Sequence, residues 1–181
     1  MTINRWVILL RGINVGGHNK LPMADLRSSL EKSGFEDIET YIQSGNVVCS
    51  SNHKDKANVQ TAIRQLCHEK HGLDIEVWVG GAKEWANLAN NNPYTQADVD
   101  SKSTHLFLAM QPIKLSDQQA GKLKDLLATH ESYEVQANCL YLHAPKGIGK
   151  SKFAASVERL IGQPATARNG RTVQKITDLL S

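Results

Sequence analysis

With 181 residues, 40% of them hydrophobic and 22% charged, the chain is long enough for one ordinary domain or two small ones, and its composition is that of a soluble globular protein rather than a disordered or membrane-bound one. Its longest early apolar run, residues 6–10, ends at Arg11 and is too short for a signal-peptide core or a membrane span, so a cytoplasmic location and no membrane partner are expected. The net charge of +3 conceals an asymmetry, because residues 144–181 hold seven Lys and Arg against Glu158 and Asp178 while the rest of the chain is slightly acidic.

Residues 6–10, Trp-Val-Ile-Leu-Leu, form a continuous apolar run, the pattern of a central strand covered on both faces, and a turn-rich stretch follows through Asn19. Pro22 can open a helix whose stripe is Met23, Leu26 and Leu30, with Gly34 as its stop. Residues 39–43 and 46–50 read as a hairpin joined tightly at Ser44-Gly45. Val59, Ile63, Leu66 and Cys67 mark a second helix, and Ile75, Val77 and Val79 alternate as a strand. The first half therefore reads βαββαβ.

Trp85 and Leu88 mark a short connecting helix that Pro93 stops. Beyond it lie a strand at 105–108, a helix opened by a Ser116/Gln119 capping box with Ala120, Leu123 and Leu127 as its stripe, and a hairpin turning at Ala137-Asn138. Phe153, Val157, Leu160 and Ile161 supply the next helix, and Val173, Ile176 and Leu180 the last. The second half thus reads βαββα followed by a helix where a strand is due. Matching elements recur at offsets of 93 to 98 residues. The expectation is an α+β protein of two ferredoxin-like βαββαβ-type halves, a duplication, the second ending in a helix. Its boundaries fall at 1–80, a connecting helix and linker at 81–103, and 104–181. Cys49, Cys67 and Cys139 lie far apart in apolar elements, the pattern of buried thiols in a reducing compartment.

Four motifs stand in order along the chain: Arg11-Gly-Ile-Asn-Val-Gly-Gly17, Tyr41-Ile-Gln-Ser-Gly-Asn-Val47, Pro145-x-Gly-x-Gly-x-Ser151 and Ala167-Arg-Asn169. On these the chain resembles the mainly bacterial domain-of-unknown-function family sixteen-ninety-seven. The resemblance implies a duplicated ferredoxin-like arrangement and no established activity. The family pattern usually continues Arg-Asn-Trp, whereas this chain has Gly170.

The most informative chemical feature is Ala144-Pro-Lys-Gly-Ile-Gly-Lys-Ser151, a Gly/Lys loop between an expected strand and an expected helix. Lys146, Gly147, Gly149, Lys150 and Ser151 can present backbone amides, ammoniums and a helix N-terminus to one anion. The stretch loosely matches a phosphate-binding P-loop, but no strand-borne Asp follows to hold Mg²⁺. The competing reading is a tight turn with solvated lysines. Arg168, Asn169 and Arg171 form a second basic segment, in which Thr172 is expected to cap the last helix and leave both guanidiniums free. Arg11 and Asn14 are a third candidate pair, at the end of the first strand, set against a purely structural use of that turn.

His68 and His71 beside Cys67 fall in the last turn of a helix and lack a second ligand pair, so no metal is expected. No cofactor is implied either. The expected partner is a phosphate-bearing small molecule or a nucleic-acid backbone. Two alternatives stand beside it: a small-molecule hydrolase or transferase with a pocket between the halves, in which Arg11, Asn14 and Lys150 bind substrate, and an interaction module recruiting a partner or a second copy through exposed sheet edges.

Overall fold

A computed structural model describes residues 3–95 and 100–181. It divides into two compact units, Met1–Asn90 with Gln174–Ser181, and Asn91–Val173.

In the first unit β1 (Asn4–Leu10) leads into α1 (Met23–Lys32), then β2 (Glu36–Tyr41), β3 (Asn46–Ser51), α2 (Lys56–His71), β4 (Val77–Gly81) and α3 (Ala82–Asn90). The sheet order is β2-β3-β1-β4 with every pair antiparallel. Pleating sends Trp6, Ile8, Leu10, Val47, Cys49, Val77 and Val79 to one face. There they meet Met23, Leu26 and Leu30 of α1 and Val59, Ile63, Leu66 and Cys67 of α2 in one core. Val7 and Leu9, on the opposite face of β1, are also fully buried, as the unbroken apolar run requires.

Local chemistry ends each element where the sequence allows it. Asp55 caps α2 by accepting from the Asn58 amide, and Gly72 closes that helix in the left-handed conformation. The hairpin between β2 and β3 differs from the expected tight turn at Ser44-Gly45. Tyr41 pairs with Asn46, so the connection is the four residues 42–45. Asn46 donates from its side chain to the Tyr41 carbonyl and the Ser44 hydroxyl, holding this wider loop shut. Two links bind the chain's C-terminal residues to this unit: Trp85 Nε1 donates to Thr177 Oγ1 at 3.0 Å, and Arg5 donates to the Leu179 carbonyl at 3.0 Å.

The second unit repeats the plan: β5 (Thr104–Ala109), α4 (Asp117–Leu126), β6 (Ser132–Gln136), β7 (Cys139–His143), a 3-10 turn (Ile148–Lys150), α5 (Lys152–Ile161) and β8 (Ala165–Asn169), followed by the first turn of α6 (Gly170–Leu179), whose residues from Gln174 on belong to the first unit. Its order, β6-β7-β5-β8, is the order of the first sheet, again wholly antiparallel. Two ferredoxin-like halves with a C-terminal helix are therefore the fold. Phe107, Ala109, Leu140 and Leu142 from the sheet, Leu123 from α4, and Phe153, Val157, Leu160 and Ile161 from α5 form its core. The Ser116/Gln119 capping box makes both of its reciprocal bonds. Leu127, expected in the α4 stripe, instead lies beyond the helix as its C-cap.

The strand expected to be missing is present. Residues Ala-Thr-Ala-Arg-Asn of β8 carry no apolar alternation, but Ala109 to His105 of β5 offer a free ladder edge, and residues 165–169 pair along all of it. Backbone hydrogen bonding to an existing strand, not side-chain preference, makes this element. α6 then begins directly, and its cap is Asn169, whose Oδ1 accepts from the Thr172 amide at 2.9 Å, rather than Thr172 itself. Gly170 also has a local reason. A Cβ there would lie 2.7 Å from the Ser101 carbonyl oxygen and closer still to Thr104 Oγ1, so the larger side chain of the family pattern has no room on this backbone.

Burial fixes the chemistry of the cysteines. All three are free and buried. Loss of hydration pushes the Cys49 thiol up to about 12, against the opposing pull of Arg5, and the Cys67 thiol up to about 11. Among the described residues no helix is long and apolar enough to cross a membrane.

Candidate functional site

The turn after β7 is built around Gly147. Its φ of 79° and ψ of 156° fall in a region essentially reserved for glycine, because any Cβ would collide with the adjoining backbone. The chain leaves the sheet there, makes one 3-10 turn over Ile148–Lys150, and enters α5 at Ser151. Ser151 caps α5 by accepting from the Ala154 amide at 3.0 Å. Its own amide donates to the Ile148 carbonyl, and the Gly147 amide donates to the Ala144 carbonyl. Two of the backbone donors expected to cradle an anion are thus engaged inside the loop, which shifts the burden of any anion contact to side chains.

Residues of this loop border a cavity of about 380 Å³ in the second unit, lined by Leu126, Ala128, His130, Glu131, Lys146, Gly147, Lys150, Ser151 and Lys152. One wall is the loop from α4 to β6, the other the loop from β7 to α5. Lys146, Lys150 and Lys152 are exposed, and among the described residues none of their side chains makes an ion pair or hydrogen bond. The α5 N-terminus adds partial positive charge to the same wall. Gly149 has an ordinary negative-φ backbone, and a Cβ there would touch nothing within 4 Å. Its lack of a side chain is not demanded by the turn and leaves the loop surface bare.

Four of the five loop candidates, Lys146, Gly147, Lys150 and Ser151, line this cavity, and Gly149 sits within the same turn. Arg168, Asn169 and Arg171 do not line it. The expectation of two free guanidiniums is corrected for Arg168. Because β8 forms, Arg168 is drawn into the sheet opposite Leu106 and buried, where it donates to Thr166 Oγ1 at 2.8 Å and to the Ala167 carbonyl. Desolvation lowers its pKa from 12.5 to about 10, which still leaves it cationic at neutral pH. Arg171 is exposed in the first turn of α6.

Arg11 and Asn14 belong to the first unit. Asn14 adopts φ 54° and donates from its side chain to the Leu21 carbonyl at 2.8 Å and the Gln43 carbonyl at 2.7 Å, while its Oδ1 accepts from the Leu21 amide at 2.8 Å. It ties the turn after β1 to the β2–β3 loop and joins the first two sequence motifs physically. The Leu10 amide reinforces the junction by donating to the Gly45 carbonyl.

Sequence reasoning misses the opposite wall of the cavity. Leu126, Ala128, His130 and Glu131 sit at a helix end and a connecting loop, and no spacing relates them to Lys146 or Lys150. Glu131 is 8% exposed, and its Oε2 accepts from the Ala128 amide at 3.1 Å. A lone Glu in a short polar loop carries no signal of burial.

A family model described as "Protein of unknown function (DUF1697)" matches residues 3–141. The chain belongs to that family. The match to DUF1697 ends within β7, so the Lys146 to Lys152 wall of the cavity lies beyond it. Among solved structures, the conserved bacterial protein SP0830 from Streptococcus pneumoniae is similar over 99% of this chain and 100% of its own, with a TM-score of 0.75 and 24% identity. At that identity the likeness establishes the shared fold. No curated protein matches.

Proposed function

We propose that this DUF1697 protein binds a small phosphate-bearing ligand in the cavity between residues 126–131 and 146–152. The observation that carries the reading is the convergence of Lys146, Lys150 and Lys152, without ion-pair partners among the described residues, on one cavity at the start of α5. A volume of about 380 Å³ lies within the usual range of small-molecule sites and suits a compact phosphate ester better than an extended polymer. Charge-assisted bonds contribute about 1.5 to 3 kcal/mol each before association costs are subtracted, so two or three of them support weak binding. The P-loop alternative loses ground, because that motif belongs to parallel sheets and every strand pair here is antiparallel.

Isothermal titration with methyl phosphate and with a nucleoside monophosphate tests the proposal. Lys150→Ala and Lys146→Ala are each expected to weaken binding roughly tenfold, the loss of about 1.4 kcal/mol. Arg171→Ala, at a residue that does not line the cavity, is expected to leave it unchanged. Equal affinity in wild type and both lysine variants, or no binding at millimolar ligand, refutes the proposal.

A further inference from the structure

The cavity holds a second charge that a simple anion site would exclude. Glu131 lines it from the α4–β6 loop, is nine-tenths buried, and shares that wall with the apolar Leu126 and Ala128. An ionised carboxylate offers about four lone-pair positions. Among the described residues this one accepts only the Ala128 amide, and it forms no ion pair with Lys146, Lys150 or Lys152 although all four line the same space. A bare phosphate would gain from the lysines and be repelled by Glu131. A ligand that carries its phosphate on a donor-bearing body satisfies both walls at once.

Resting on the phosphate-binding reading above, we infer that the cavity selects phosphate esters whose alcohol portion carries free hydrogen-bond donors, and that Glu131 is the residue that reads them. The phosphate meets the ammoniums at the α5 end, the donors meet the open lone pairs of Glu131, and the carbon frame rests on Leu126 and Ala128. A buried carboxylate rejects a ligand lacking the donor, because its remaining lone pairs are then desolvated without compensation. Hydroxyls of a sugar phosphate and the ammonium of an amino-alcohol phosphate share this chemistry.

The test compares methyl phosphate, ribose 5-phosphate and phosphoethanolamine by titration against wild type, Glu131→Gln and Lys150→Ala. Glutamine keeps a carbonyl oxygen for the Ala128 amide, so the loop retains its bond. In the wild type at least one donor-bearing ester is expected to bind about tenfold or more tighter than methyl phosphate. A preference for ribose 5-phosphate assigns hydroxyls, and one for phosphoethanolamine an ammonium. Glu131→Gln is expected to abolish that preference while methyl phosphate affinity stays equal or rises, since a repelling charge has gone. Lys150→Ala is expected to weaken all three esters together. Equal affinity for the three esters in wild type overturns the inference and leaves phosphate binding standing. So does a preference that survives Glu131→Gln, or a parallel loss of all three esters in that variant. Failure of every ester to bind the wild type removes both.

Discussion

Replacing Asn14 with Ala asks whether the first motif is held by its own geometry. The change deletes three hydrogen bonds of 2.7 to 2.8 Å, to the Leu21 carbonyl, the Leu21 amide and the Gln43 carbonyl. At about 1 kcal/mol net each, these amount to roughly 3 kcal/mol. Alanine must also occupy φ 54°, where asparagine is tolerated, which adds about 1 kcal/mol. A loss near 4 kcal/mol is a large part of the 5 to 15 kcal/mol, roughly, that stabilises ordinary domains. Asn14→Gly separates the two causes, because it deletes the bonds but accepts the backbone, and should lose about 1 kcal/mol less than alanine. Urea titration followed by the three tryptophans supplies the free energies, since Trp6, Trp78 and Trp85 all lie in the first unit. Hydrogen exchange at the Leu21 amide gives a local readout, with faster exchange expected in both variants. If Asn14→Ala costs under about 1 kcal/mol, or alanine is no worse than glycine, the bonds do not hold the turn and the structural account of this motif fails.

The two loop glycines should behave oppositely. Gly147→Ala forces a Cβ into a glycine-only conformation and is expected to lower stability by about 1 to 3 kcal/mol, measured by thermal or urea unfolding. Gly149→Ala meets no atom and no positive φ, and should leave stability within about 0.5 kcal/mol. Buried His105 has its pKa lowered from the ordinary 6.5, by desolvation, with its hydrogen bond to the Ser103 backbone opposing; its Nδ1 has no partner among the described residues. The unfolded chain therefore takes up this proton near 6.5 and the folded chain only at lower pH, so stability falls as pH drops below 6.5 toward the folded value. His105→Leu should remove that component, and identical pH slopes in variant and wild type between about pH 7 and 5.5 would show that burial of the imidazole is not felt.

What the linear chain determined was the set of elements whose residues announce themselves locally. The apolar run at 6–10, the helical stripes through Leu26, Ile63 and Phe153, and the capping box at Ser116 specify their structure by periodicity and short-range bonding. The same order of elements in both halves then implies the same sheet. Long-range pairing decided the rest. Residues 165–169 become a strand because β5 presents an unpaired edge, and that event buries Arg168 and moves the helix cap to Asn169. The candidate site has the same dependence: Gly147 and the lysines are visible in the sequence, but Glu131, which lines the same cavity, is contributed by the α4–β6 loop. A hydrophobic period is a property of neighbours along the chain, whereas a free strand edge or a cavity wall exists only after distant segments have packed, so the first can be read before folding and the second cannot.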